Sequence, residues 1–240
     1  MPGCLGSGLP RTRGLGTDDL VAVGAYLERV AAALLGELGD AGFVLAGAGA
    51  IREGGLTDRP THDIDLFAHS TLTATQFADA LTRAKDLLTG LGLEVELVRS
   101  YQLFARLSVR DDTGDAIEVD MAVNWRAEPP VMLRLGPSLA EADAVAGKLS
   151  AVYSRGEVRD FLDLDAIRSS GRYSDEQLLA LGRQHDDGFD GHMFAQQLAR
   201  VADIPASYAA QYGVTTDRFE LVKQRTMDWA RRLLPKRPEH

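Results

Sequence analysis

The chain has almost no cysteine. Cys4 is the only one in 240 residues, so no disulfide can form within the chain, and this sulfur usage fits a reducing cytoplasm. Long apolar runs are missing too. None approaches the ~18 residues of a membrane-spanning helix, which excludes a helical membrane protein. The five histidines form no H-E-x-x-H or similar cluster. His185 and His192 read as surface residues, and His62 as a supporting neighbour of Asp63. No internal repeat is present, and nothing beyond the first sixteen residues is low in complexity. Met1 to Gly16 carries five glycines, two prolines, Arg11 and Arg13 but no compact apolar segment, so it reads as a flexible tail and not as a signal peptide.

What is present is ordinary for a globular protein: 45% apolar and 25% charged residues, in a chain long enough for one large or two small domains. The net charge of −9 argues against a protein coated in nucleic acid. Residues 171–240 contain ten basic and ten acidic residues, so the whole excess lies before them. Arg218, Lys223, Arg225, Arg231, Arg232, Lys236 and Arg237 give the chain a basic end. It can be read as a grip on one phosphate backbone or as a solvated helix with ordinary ion pairs.

Thr17-Asp18-Asp19 is a candidate N-cap with an acidic first turn. It opens an Ala/Leu-rich helix to about Gly39, with Leu20, Tyr26, Val30, Ala33 and Leu34 at near-helical spacing. Strands are expected near 43–46 and 63–68, then an amphipathic helix from Thr73 to Gly90, ended by glycine. Strand-like runs follow at 93–98, 102–109 and 116–123, the last two joined by the turn Asp111-Asp112-Thr113-Gly114. Pro129-Pro130 marks a boundary. Beyond it the chain reads helical, at about 138–154, 158–169, 174–186, 190–201 and 215–234.

The most informative stretch is Thr61-His62-Asp63-Ile64-Asp65. On a strand, residues i and i+2 share a face, so Asp63 and Asp65 point the same way while Ile64 packs inward. Two carboxylates this close repel unless a cation lies between them, and oxygen donors suit Mg²⁺ or Mn²⁺. Upstream, Phe43-Val44-Leu45-Ala46 runs into Gly47-Ala48-Gly49-Ala50, a turn whose backbone N–H groups can approach a phosphate. Downstream, Glu118 and Asp120 share a face of the strand Ile117-Glu118-Val119-Asp120-Met121. Lys148 flanks the buried stripe of its helix, and Arg159 and Asp163 are spaced for an i, i+4 ion pair. Each feature alone also has a bland reading: a solvated strand face, a tight turn, or a salt-bridged helix pair.

Taken in order, these features resemble the polymerase-β-like nucleotidyltransferase superfamily. More narrowly, Gly47-Ala48-Gly49-Ala50 with Arg59-Pro60-Thr61-His62-Asp63-Ile64-Asp65-Leu66-Phe67 is similar to the G-G-x-A … R-x-[ST]-x-D-I-D-L-F pattern of the AbiEii/MenT toxin nucleotidyltransferases. Lys148-Leu149-Ser150-Ala151, Arg155 and Arg159-Asp160-Phe161-Leu162-Asp163-Leu164 resemble that family's second block. Ala48 departs from the usual second Gly or Ser and so lacks a hydroxyl for phosphate. The resemblance implies an α/β fold, a polymerase-β-like mixed sheet followed by a C-terminal helical bundle. Its parts would be a tail (1–16), a nucleotidyltransferase domain (17–128) and a helical domain (129–240).

The same resemblance implies Asp63, Asp65 and Asp120 as metal ligands for Mg²⁺ or Mn²⁺, with Glu118 as the fallback third carboxylate. Lys148 and Asp160 join them as catalytic residues, while Gly47, Ala48, Arg59, Thr61, Lys148 and Asp163 would bind the nucleotide. The Thr61 hydroxyl would contact phosphate or itself be a modification site. The implied reaction is transfer of NMP from an NTP to an acceptor hydroxyl. By resemblance the acceptor is the 3′ end of tRNA, the enzyme is a cytoplasmic toxin, and its partner is a cognate antitoxin. A small-molecule acceptor such as an aminoglycoside-type antibiotic, a protein hydroxyl, and a non-catalytic protein retaining the fold all stay open.

Overall fold

The computed structural model describes residues 17–234, with side chains from residue 23. The expected tail, Cys4, the Thr17 cap, Leu20, Lys236 and Arg237 therefore lie outside the described residues or side chains. Seven strands form one sheet in the order β3-β4-β5-β2-β1-β7-β6. They are β1 (Val44–Leu45), β2 (Asp63–His69), β3 (Glu94–Tyr101), β4 (Phe104–Arg110), β5 (Ala116–Asn124), β6 (Val131–Leu133) and β7 (Gly136–Ser138). β2 and β5 are parallel neighbours, whereas β1–β2, β3–β4, β4–β5 and β6–β7 are antiparallel.

Strict alternation divides the sheet into two faces. Ile64, Leu66 and Ala68 on β2, Ile117, Val119 and Met121 on β5, and Ala105, Leu107 and Val109 on β4 are all buried. They form one core with the helices α1 (Thr17–Leu38) and α3 (Ala74–Gly90). Tyr26 of α1 donates its hydroxyl to the Val109 carbonyl at 3.3 Å, and Thr73 caps α3 through a capping box with Gln76. The alternate residues, among them Asp63, Asp65, Glu118 and Asp120, are left for the opposite face.

On that opposite side lie α2 (Gly47–Glu53), α4 (Glu141–Ser154) and α5 (Val158–Ser169), followed by α6 (Asp175–His185), α7 (Gly191–Ala199) and α8 (Thr216–Leu233). The sheet does not stop at the proline pair. β7 pairs in parallel with β1, and the Ser138 hydroxyl and Leu139 N–H both bond to the Leu45 carbonyl. β6 and β7 have only three residues each, too short for alternation to show in the sequence. The β3–β4 turn falls at Gln102-Leu103, so β3 runs three residues past the expected end. Two 3₁₀ turns, Arg200–Asp203 and Ala206–Tyr212, replace the expected end of the helix at 190–201 and fill the gap before α8.

The basic last helix docks onto the bundle. Trp229 is fully buried, edge-on to Phe194 at 5.3 Å, with the Arg168 guanidinium 4.3 Å from its ring centre. Arg225 holds Asp165 and Arg232 holds Asp175, while Lys223 and Arg231 pair with Glu220 and Asp228 on their own helix. Most of this positive charge is therefore met by carboxylates of the chain, which favours the ion-paired reading over a backbone grip. Truncating the buried Trp229 to alanine should cost about 3–5 kcal/mol, measured as a shift in the urea midpoint. A loss below about 1 kcal/mol would mean that α8 is not part of the cooperative core.

Candidate functional site

β2 and β5 run in register, so Asp63 stands beside Glu118 and Asp65 beside Asp120. The carboxylates thus form a two-by-two array on one face. Three of the corners are held by two arginines. Arg106 on β4 grips Asp120 in a fork, at 2.7 and 2.6 Å, and reaches Glu118 at 3.2 Å. Arg159 of α5 reaches Asp63 at 3.1 Å, and the Thr61 hydroxyl donates to the other oxygen of that carboxylate. Asp65 has no ion-pair or hydrogen-bond partner for its carboxylate among the described residues.

Asp65 bears the consequence. Burial first, then the negative charges of Asp63 and Asp120, push its carboxyl up to about 7, against partial relief from Lys148 and Arg159. A cleft residue perturbed by desolvation and specific neighbours is a candidate for a functional site. Among the described residues no three His, Cys, Asp or Glu side chains converge as a ready metal cage, because Asp120 is turned onto Arg106. Asp63 and Asp65 nevertheless suit a hard cation, which would supply the positive charge that Asp65 lacks.

The turn after β1 lies directly over Asp65. Gly47 has φ +56°, and a β-carbon there would sit 1.7 Å from the Asp65 Oδ2 atom. Only glycine satisfies both the left-handed backbone and the missing space. Ala48, by contrast, is buried in α2, where its methyl group packs.

Behind the carboxylates lies a buried ionic cluster. Asp163, fully buried, accepts from Lys148 Nζ at 2.8 Å and from Arg59 in a fork at 2.7 and 3.0 Å. Burial would raise its pKa, but Arg59 and Lys148 outweigh that and hold it below the usual carboxylate range. Arg59 and Asp163 therefore hold Lys148 and are themselves almost entirely buried. The expected Arg159–Asp163 pair is absent, because Arg159 turns to Asp63 and Glu157 instead. Asp160, grouped with the catalytic residues by its motif, is also fully buried. It is held by both Arg155 nitrogens at 2.8 Å and accepts from the Glu157 N–H. Its geometry fixes Arg155 and the start of α5. Thr61, 5% exposed, has its hydroxyl on Asp63, not open to a phosphate.

A cleft of about 150 Å³ opens beside Asp65, lined by Gly47, Lys148, Arg155, Arg126, Trp125 and His185 among others. Asp143, buried at the start of α4, accepts from the Ala127 and Glu128 N–H groups at 2.8 and 2.9 Å, which sets the loop carrying Trp125. Trp125 is 42% exposed and meets His185 edge-on at 5.9 Å. His185, expected at the surface, is half-buried, and its Nδ1 is buried without a partner. Neither residue stands out in sequence, since each is single and outside any motif. His62 is exposed, and its backbone carbonyl accepts from Glu118 N at 3.4 Å.

A family-wide model of the nucleotidyl transferase AbiEii toxins, of type IV toxin–antitoxin systems, matches residues 31–237. The chain belongs to this family. No curated protein matches it significantly. Among solved structures, the nucleotidyltransferase toxin MenT4 from Mycobacterium tuberculosis H37Rv is 20% identical, over 90% of this chain and 86% of that one, with a TM-score of 0.59. JHP933 from Helicobacter pylori is 16% identical, over 88% and 91%, with a TM-score of 0.51. At these identities the likeness is one of fold, and it agrees with the expected nucleotidyltransferase α/β architecture. No described helix is long and apolar enough to cross a membrane.

A protonated Asp65 has a pH signature. Its carboxyl titrates near 7 when folded and near 3.9 when unfolded, so between those values the folded state binds the extra proton. Stability of the metal-free protein should therefore fall as pH rises from about 4 to 7, and Asp65→Asn should flatten that slope. Melting temperatures at pH 5 and 7.5 in chelator measure it; equal slopes for both proteins would remove Asp65 as the cause.

Proposed function

We propose that this AbiEii-family protein is a metal-dependent nucleotidyltransferase toxin that moves NMP from an NTP to an acceptor hydroxyl, the 3′ end of tRNA. The observation that carries this reading is the unpartnered Asp65 beside Asp63 and Asp120, next to a cleft lined by Lys148, Arg155 and the Trp125–His185 pair. Asp63 and Asp65, with Asp120 as third ligand, would hold Mg²⁺ or Mn²⁺; bound there, the metal neutralises triphosphate charge and acidifies the attacking hydroxyl.

The chain's own residues supply the remainder. Lys148 and Arg155 face the cleft as fixed cations for the triphosphate and the leaving pyrophosphate. Asp163 and Asp160 hold those cations in place, so no reorganisation is needed when the nucleotide arrives. Trp125 offers a flat face for the base, and the unpartnered His185 Nδ1 a polar contact at the same end. The acceptor oxygen bonds to the α-phosphorus as pyrophosphate departs, and its proton passes to the Asp63/Asp65 pair or to solvent. A cationic antibiotic as acceptor is disfavoured, because Arg106 and Arg159 flank the carboxylates it would need. In a toxin–antitoxin setting, nucleotidylation of tRNA would arrest growth in the cytoplasm until a cognate antitoxin intervenes.

The test is incubation with total tRNA, each labelled NTP and Mg²⁺, resolved on a gel. One NTP should label tRNA at its 3′ end, and Asp65→Ala should abolish labelling while keeping or raising the melting temperature. Label in no RNA with any NTP would sink the tRNA acceptor. Trp125→Ala should raise the KM for the nucleotide about tenfold with kcat little changed, since its ring is proposed to stack on the base; an unchanged KM places the base elsewhere.

A further inference from the structure

Outward from Asp120 the sheet continues through β4 to β3, and no function is yet attached to that surface. β3 is an edge strand exposed along nearly its whole length, and Tyr101 near its end is 66% exposed. An irregularity between Leu97 and Arg99 leaves Val98 unpaired and changes the phase of the strand. Leu97 stands opposite the buried Leu107, whereas Arg99 stands opposite Arg106 and Tyr101 opposite Phe104. Arg106 and Phe104 in turn oppose Asp120 and Ala122, and Asp120 opposes Asp65. One row across four strands therefore reads Arg99, Arg106, Asp120, Asp65. With strands about 4.8 Å apart, Arg99 lies roughly 14 Å from Asp65 along the sheet.

Two features of this face point to a ligand. Like charges directly opposite each other weaken a strand pair, yet Arg99 faces Arg106. Arg106 has Asp120 and Glu118, while Arg99 has no carboxylate at ion-pair distance among the described residues. The nearest acidic residues of its own strand are no substitute: Glu96 lies beyond the bulge opposite Ser108, and Glu94 pairs with Arg110. Beside the arginines, the rings of Tyr101 and Phe104 lie 6.2 Å apart on the same face. Aromatic planes next to guanidinium groups are the means by which single-stranded nucleic acid is held without base-pair readout, bases stacking and backbone neutralised. A protein strand adding to the free edge of β3 is less suited, because the bulge interrupts the ladder that such addition requires.

The geometry points to this face as the acceptor platform, binding the single-stranded 3′ end of an RNA. A phosphate lies on Arg99, a base stacks on Tyr101, and the terminal hydroxyl is delivered past Arg106 to Asp120 and Asp65. The inference rests on the nucleotidyltransferase reading above and adds to it where the RNA lies. Arg106 gains a second role as well, since a phosphate drawing it away would release Asp120 toward the metal.

The experiment titrates a fluorescein-labelled single-stranded RNA with a free 3′ hydroxyl into the wild-type protein without NTP, followed by anisotropy at several salt concentrations. Arg99→Ala should weaken binding about tenfold and make the slope of log K against log salt shallower by about 0.7. Tyr101→Ala should weaken binding about tenfold, while Tyr101→Phe, which keeps the ring, binds like wild type. Wild-type binding absent at tens of micromolar, or variants that titrate like wild type, would overturn the platform, including the case in which Tyr101→Ala disturbs only association with a protein partner. Transfer assays separate the two readings. Label transferred to RNA with an unchanged RNA KM in both variants removes the platform and keeps the enzyme. Binding that depends on Arg99 and Tyr101 without transfer from any NTP removes the enzyme's RNA acceptor and keeps the surface.

Discussion

Repulsion among carboxylates on one sheet face is the constraint around which the rest of this protein is arranged. Parallel pairing of β2 and β5 forces Asp63, Asp65, Glu118 and Asp120 together, and a fold that did nothing about it would be destabilised. The chain answers with arginines from two directions: Arg106 from within the sheet and Arg159 from the helical layer. Both leave Asp65 out. That omission leaves one carboxylate of the four without a cation at ion-pair distance among the described residues.

The helical half serves the same purpose at one remove. Lys148 and Arg155 would be mobile surface cations if Asp163 and Asp160 were not buried beneath them. Burying Lys148, Arg59, Asp160 and Asp163 is costly unless each is paired with good geometry, and here the forks of Arg59 and Arg155 provide it. The result is positive charge held still at the mouth of a cleft. Such preorganisation is worth more to a reaction with developing negative charge than the same charges free in water.

Much of this was legible in the residues, and what was hidden has physical reasons. The D-I-D triplet placed two carboxylates on one face because strand alternation is strict, and β2 alternates as expected. The boundaries of α5 agree within a residue because Glu157 and Gly156 punctuate its start. Partnerships across the sheet were not legible. Nothing in the sequence says that Arg106 lies opposite Asp120 or that Arg159 turns away from Asp163, since register is a tertiary property. The motif likewise grouped Asp160 with the reacting residues because sequence reports that a residue is required, not whether it touches substrate or steadies a neighbour. Trp125 went unseen, and His185 was read as a surface residue, because a lone aromatic and a lone histidine carry no pattern.

The pairs that complete the site are far apart along the chain. Asp63 meets Arg159 across 96 residues, and Arg59 meets Asp163 across 104. During synthesis one partner of each pair therefore emerges long before the other, and contacts this distant close late. A chain that stops short of α5 carries Lys148 and Arg155 but neither Asp163 nor Asp160, the buried carboxylates that hold them. In this member of a toxin family, that order of assembly leaves incomplete copies without the ion pairs that finish the site.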